Sequence, residues 1–171
     1  MLSEKIETAL NSQLNAELYS SYLYLSMNAF FKSINLDGFA NWMHAQAQEE
    51  LMHAIKFYDF INQRGGRVIL SQIEAPPLEW SSPAEIFEET LKHEQKVTGL
   101  INDLVEVALG EHDHATNIFL QWFVTEQVEE EESVGHVLQQ LMLLNDAKNG
   151  IFMIDRELAT RGAPAGESSS E

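Results

Sequence analysis

Polar residues of metal-ligating type interrupt helical seams that are otherwise apolar. The sharpest case is Gln48-Glu49-Glu50-Leu51-Met52-His53, which sets a carboxylate and an imidazole three residues apart. Counting outward by alternating fours and threes gives Phe39, Met43, Gln46, Glu50, His53, Phe57 and Phe60, the core-facing stripe of an amphipathic helix. Glu50 and His53 therefore look inward. An ionised carboxylate in a dry core costs several kcal/mol unless it is protonated, paired or bound to a metal. Glu and His at this spacing converge on one point and suit Fe, Mn or Zn. A lone pair of this kind is better explained by a His satisfied by its neighbouring Glu, so the other seams decide the matter.

Three further stretches break their seams in the same way. The first helix is expected from about Ser3, its N-cap, to about Lys32, with seam Ile6, Leu10, Leu14, Glu17, Ser21, Tyr24 and Phe31. Tyr24 lies two turns beyond Glu17 on the same face; it is either a core aromatic with a satisfied hydroxyl or a redox participant, and it joins the candidate catalytic residues. The third helix opens with Ser82-Pro83-Ala84-Glu85, a capping box with Pro at its first position, and carries Phe87, Leu91, Glu94, Thr98, Ile101 and Val105 to a stop at Gly110. The fourth, running to about Leu144, has Leu120, Phe123, Gln127, Glu130, Val134, Val137 and Leu141.

The connections dictate how these rods lie. Asn35-Leu36-Asp37-Gly38 is too short for anything but an antiparallel hairpin, and the second helix then runs from about Asp37 to Arg64 before Gly65-Gly66. In a hairpin centred near residue 35, Glu17 faces the turn holding Glu50 and His53. Residues 65–82, with Pro76-Pro77 extended in their middle, can span the whole second helix and return to its start. Glu111-His112-Asp113-His114 makes the second hairpin, in which Glu94 and Glu130 are level. The prediction is an all-α four-helix bundle with one long crossover between the second and third helices. A short fifth helix follows Asn145-Asp146 and reaches about Arg161, packing on the bundle end or on another subunit, and a disordered tail occupies residues 162–171.

Four carboxylates converging without cations would raise one another's pKa and still lack hydrogen-bond donors. Two divalent metals supply the missing charge; a metal-free polar cluster is the competing explanation. Oxygen ligands with a single imidazole suit Fe(II) or Mn(II) better than a tetrahedral structural zinc. Glu50 would bridge, with Glu17 and His53 on one ion and Glu94 and Glu130 on the other. Gln127, a weaker neutral ligand, leaves positions open for O₂. His44, His93, His112, His114 and His136 fall off the seams and are expected at the surface, His112 and His114 being candidates for a pore lining.

Composition narrows the partners. The chain has 171 residues, 44% hydrophobic and 22% charged, and suits a single domain. Acidic residues outnumber basic ones 27 to 10, for a formal charge of −17, which repels nucleic acid and anionic membranes and favours cations. Without cysteine there is no disulfide framework, no thiolate-bound iron and no thiol catalysis. No apolar run approaches the roughly 20 residues that cross a bilayer, and Met1-Leu2-Ser3-Glu4-Lys5 lacks an export pattern, so a cytoplasmic location is expected.

Asn15 to Met27 (NAELYSSYLYLSM), Ala47 to Ala54 (AQEELMHA), Lys92 to Gln95 (KHEQ) and Phe119 to Glu131 (FLQWFVTEQVEEE) resemble the prokaryotic non-haem ferritins over residues 1 to about 161. The resemblance implies a ferritin-like diiron domain over 1–161 and a ferroxidase centre on Glu17, Glu50, His53, Glu94, Gln127 and Glu130. It further implies iron as Fe(II) substrate oxidised by O₂, storage as ferric oxyhydroxide, and a homo-oligomeric hollow shell of 24 subunits. Glu49, Glu126 and Glu129 match a third iron site of that family, although a Glu-rich run such as Glu129 to Glu132 also reads as a solvated face. Where bacterioferritin carries its haem-ligating Met this chain has Leu51, so no haem is expected, and Gln127-Val128-Glu129-Glu130 replaces the Glu-x-x-His of bacterioferritin and rubrerythrin. A non-enzymatic cation-sequestering shell and another dimetal enzyme, such as a peroxidase or manganese catalase, are the alternatives.

Overall fold

A computed structural model describes residues 2–144 and 148–162. The link at Asn145-Asp146 and the expected tail from 163 onward lie outside the described residues. Five helices occur in it, α1 (Glu4–Ser33), α2 (Asp37–Gln63), α3 (Pro83–Gly110), α4 (His114–Leu144) and α5 (Lys148–Leu158), and there is no strand among the described residues.

Local chemistry accounts for most helix ends. Ser3 Oγ accepts from Ile6 N and Ser82 Oγ from Glu85 N, satisfying first-turn amides that have no helical partner. The helices α1, α2 and α3 all stop on one device. A residue of positive φ, Asn35 (60°), Gly65 (73°) or His112 (56°), turns the chain so that the next amide reaches back five residues. Those amides are Leu36 N to Phe31 O, Gly66 N to Ile61 O and Asp113 N to Ala108 O. The turning residue after α3 is thus His112 and not Gly110, which is the last helical residue.

The bundle has the predicted connectivity. Packing pairs α1 with α2, α3 with α4 and α1 with α3. Phe87 at the start of α3 meets Phe39 and Trp42 at the start of α2, so these helices run parallel. The crossover lies along α1: Asn11 holds Arg67 O and Ile69 N, and Ser26 Oγ donates to Pro77 O farther up. Trp80 then tucks under Phe30.

The α1, α2 and α4 seams are buried at the predicted positions, except that Phe60 is only partly covered. The α3 seam is turned by one residue. Phe87, Glu94 and Ile101 are buried as expected, but Thr90, Val97 and Leu104 fill the intervening places instead of Leu91, Thr98 and Val105. The reason is that α3 also packs on α1, where Thr90 meets Met27. His93, expected at the surface, is drawn in by the same rotation. It is half-buried, sits between Tyr19 and Tyr24, and hydrogen-bonds Ser20 Oγ at 2.8 Å.

The fifth helix packs on the end of its own bundle, against α2 and α4, and ends at Leu158 rather than at about Arg161. Leu36, which precedes α2, has no capping side chain, and Asp155 of α5 supplies one. Its Oδ1 accepts from Gly38 N (2.8 Å) and Phe39 N (3.1 Å). Gly38 is required there, since a Cβ would fall 1.5 Å from the Asp155 carbonyl oxygen.

Apolar residues gather in two clusters. One surrounds Phe31, Phe39 and Phe87 near α5, and the other surrounds Leu10, Phe57 and Phe123 toward the opposite end. Between them lies a layer of buried polar side chains.

Candidate metal centre

The interior layer holds Glu17 (1% exposed), Glu50 (1%), Glu94 (0%), Glu130 (5%), His53 (3%) and Gln127 (3%). Ligand atoms of Glu17, Glu50 and His53 lie within 4.8 Å of one another, as do those of His53, Glu126 and Glu130. His53 Nδ1 is 3.4 Å from Glu50 Oε2, and Nε2 is 4.0 Å from Glu126 Oε1. The imidazole therefore sits between the inner carboxylates and an outer one.

Neutral donors support part of this set. Gln13 Nε2 donates to Glu17 Oε1 (2.9 Å), Gln46 Nε2 to Glu130 Oε2 (2.7 Å) and Gln127 Nε2 to both Glu94 Oε2 and Glu94 O (3.2 Å each). Tyr24 OH donates to Glu94 Oε1. Glu17 Oε2 and Glu50 Oε2 are buried without any hydrogen-bond partner. A buried carboxylate oxygen left bare costs on the order of 1–3 kcal/mol or more, and a divalent cation is the partner that two such atoms beside an imidazole can share.

Electrostatics point the same way. Burial, then the charge of Glu94, holds Glu50 well above the usual carboxylate range, with Glu17 and Glu130 adding to it. Burial lifts Glu17 to about 7 against the opposing contacts with Glu50 and Gln13, and burial with Glu94 lifts Glu130 to about 8. Burial also raises Glu94, despite the donors Tyr24 and Gln127. Desolvation and the nearby Lys56 push His53 down to about 4, which leaves its lone pair available at neutral pH. Burial beside Glu94 and Glu50 keeps Tyr24 a neutral phenol. The layer is a set of acids that would give up protons for cations.

The expected third site comprises Glu49, Glu126 and Glu129. Glu49 is bound by Arg161 Nη2 at 2.5 Å, Glu126 turns to His53, and Glu129 is exposed. Gln127 spends its amide nitrogen on Glu94. Sequence reasoning passed over Gln13 and Arg161 and left Gln46 as a seam residue. Gln13 lies four residues before its partner Glu17, which is a usable signal; Gln46, whose partner Glu130 is on another helix, and Arg161 offer none. Leu51, at the position compared with a haem-ligating Met, is 47% exposed.

Carboxylate and imidazole ligands projecting inward from a four-helix bundle define the dimetal-carboxylate class of bundle proteins. The ferritin-like domain family matches residues 7–144. The chain is 44% identical over 161 residues to a bacterial non-haem ferritin of Bacteroides fragilis strain 638R, covering 94% of this chain and all of that one. A bacterial non-haem ferritin of Staphylococcus epidermidis is 41% identical, with 94% of this chain and 97% of that one covered. Among solved structures, an open-pore ferritin from the hyperthermophilic archaeon Archaeoglobus fulgidus superposes with a TM-score of 0.94 at 52% identity, covering 95% of this chain and all of that chain. The protein belongs to the ferritin family.

Proposed function

We propose that this protein stores iron: it oxidises Fe(II) with O₂ at the buried layer and deposits ferric oxyhydroxide inside a hollow shell, of 24 copies by resemblance. The observation that carries the reading is the pair of unpartnered, buried oxygens of Glu17 and Glu50 facing neutral His53. The names of the Bacteroides and Staphylococcus relatives and of the Archaeoglobus structure support it.

Each residue has a derived task. Glu17, Glu50 and His53 bind one Fe(II), and Glu50 is shared with a second held by Glu94 and Glu130. Tyr24 and Gln127 orient Glu94, while Gln46 orients Glu130. Four carboxylates balance two Fe(II). The two electrons given up by the Fe(II) pair reduce O₂ to peroxide, which leaves as H₂O₂, and water supplies the oxyhydroxide oxygens with release of protons. The two further positive charges on the Fe(III) pair are poorly matched to the layer, so the product leaves toward mineral. The third position on Glu49, Glu126 and Glu129 would require Glu49 to part from Arg161. Large apolar side chains exposed in the isolated chain, among them Leu51, Ile55 and Tyr58 along α2, support burial against other copies.

The test is oxygen uptake when Fe(II) is added to the purified apo-protein. Rapid uptake is expected, lost at least ~100-fold in Glu17→Ala and His53→Ala while circular dichroism and thermal midpoint stay the same or improve. Uptake by those variants at the wild-type rate rules the centre out. Preference for peroxide over O₂ as oxidant favours a different dimetal enzyme, and electron microscopy of the purified protein decides whether it forms a shell.

A further inference from the structure

Arg161 lies beyond the last turn of α5, yet its side chain reaches the metal-ligating layer. Its main chain is fixed by Arg161 N donating to Leu158 O (3.3 Å) and Asn41 Nδ2 donating to Arg161 O (3.0 Å). The guanidinium lies over the Trp42 ring, 4.6 Å from its centroid. From there Nη2 donates to Glu49 Oε2 and to Gln46 Oε1, both at 2.5 Å. Gln46 is fully buried, and its Nε2 donates to Glu130 Oε2 at 2.7 Å.

The middle link is a carboxamide, which has a donor end and an acceptor end. A guanidinium can only donate, so it selects the rotamer of Gln46 in which Oε1 faces Arg161. The amide nitrogen is thereby obliged to face Glu130. Without Arg161 nothing holds Oε1 away from Glu130, and the amide is free to turn over, which removes the N–H that aims the Glu130 carboxylate at its ion. Glu49 anchors the guanidinium.

We propose that Arg161 is a positioning residue that fixes the orientation of the Gln46 amide and through it aims Glu130, so that the segment after α5 sets the affinity of one ion of the pair and not the other. This rests on Glu130 ligating one of two ions, as in the function proposed above. Groups standing one bond behind a metal ligand are typically worth ~10–100-fold in affinity.

The test uses the assembled apo-protein titrated calorimetrically with Zn(II), a redox-inert probe. Wild type should bind two ions per chain, and the step weakened by Glu130→Gln identifies the ion at that carboxylate. Arg161→Ala should weaken the same step by ~10–100-fold and leave the other unchanged. Gln46→Leu, which is independent of how the C-terminal segment folds, should do likewise. The double variant should lose no more than either single one, because both remove the same link. Glu49→Gln should weaken that step less than Arg161→Ala does. Equal weakening of both ions, additive losses, an unaffected Glu130 step, or a third ion gained in Arg161→Ala each overturns the inference. Failure of the wild type to bind two ions instead overturns the proposed centre, and the inference falls with it.

Discussion

Burial divides the ionisable groups of the centre into two kinds with opposite pH behaviour. Glu17 and Glu130, raised from 4.5 to about 7 and about 8, bind protons in the folded chain that the unfolded chain has already released. Their contribution to stability is complete below about 4.5 and is lost as pH climbs through their folded values. His53 and His93, lowered from 6.5 to about 4, work the other way: their contribution is complete above 6.5 and is lost as pH falls toward 4. Between pH 6.5 and 8 the imidazoles drop out and the carboxylates set the sign. The guanidinium unfolding midpoint of the apo-protein should therefore fall across that interval, by on the order of 1–2 kcal/mol in stability. Saturating Zn(II) should abolish the fall, and Glu50→Gln should reduce it; a midpoint independent of pH in the apo-protein contradicts the burial argument. The inward-facing polar side chains were legible in the sequence because helical periodicity alone assigns Glu17, Glu50, His53, Glu94, Gln127 and Glu130 to the core side of their helices. Their partners across helices were not, since which carboxylate meets Tyr24 or Gln46 depends on rotamers that no spacing encodes.

At the level of elements, the difference between local and tertiary signals decides what could be read. Ser3 and Ser82 announce their helices because a cap and its amide lie three residues apart. The cap of α2 comes from Asp155, more than a hundred residues away, and leaves no trace around Leu36. The same limit applies to α3, whose one-residue rotation follows from contact with α1. Docking of α5 should be fragile at one atom. Gly38→Ala forces a methyl group into the Asp155 carbonyl, and the expected cost is roughly 1–3 kcal/mol with faster amide exchange throughout α5. Asp155→Ala removes the cap without the clash and should cost about 1 kcal/mol. Unchanged exchange in Gly38→Ala would mean that α5 does not sit where it is described.

For the whole molecule, the polar layer lies between two apolar clusters, one near α5 and one toward the bundle's opposite end. Stability and chemistry are thereby assigned to different heights along the same four rods. Hairpin arithmetic anticipated this, since the turns at residues 35 and 112 put Glu17 level with His53 and Glu94 level with Glu130. Reach across the bundle end was not anticipated, and it is there that Arg161 connects the end of the described chain to the interior. No helix among the described residues is long and apolar enough to cross a membrane. The wall beside His53 also has an optical consequence. The Trp122 indole stands 5.4 Å from that imidazole, with the Lys56 ammonium 4.2 Å above its face. Its ultraviolet emission should dim as ferric ions accumulate next to it, and Trp122→Phe should remove most of that response while Trp80, hydrogen-bonded to Glu89, continues to glow. The unlabelled protein thus carries its own gauge of filling.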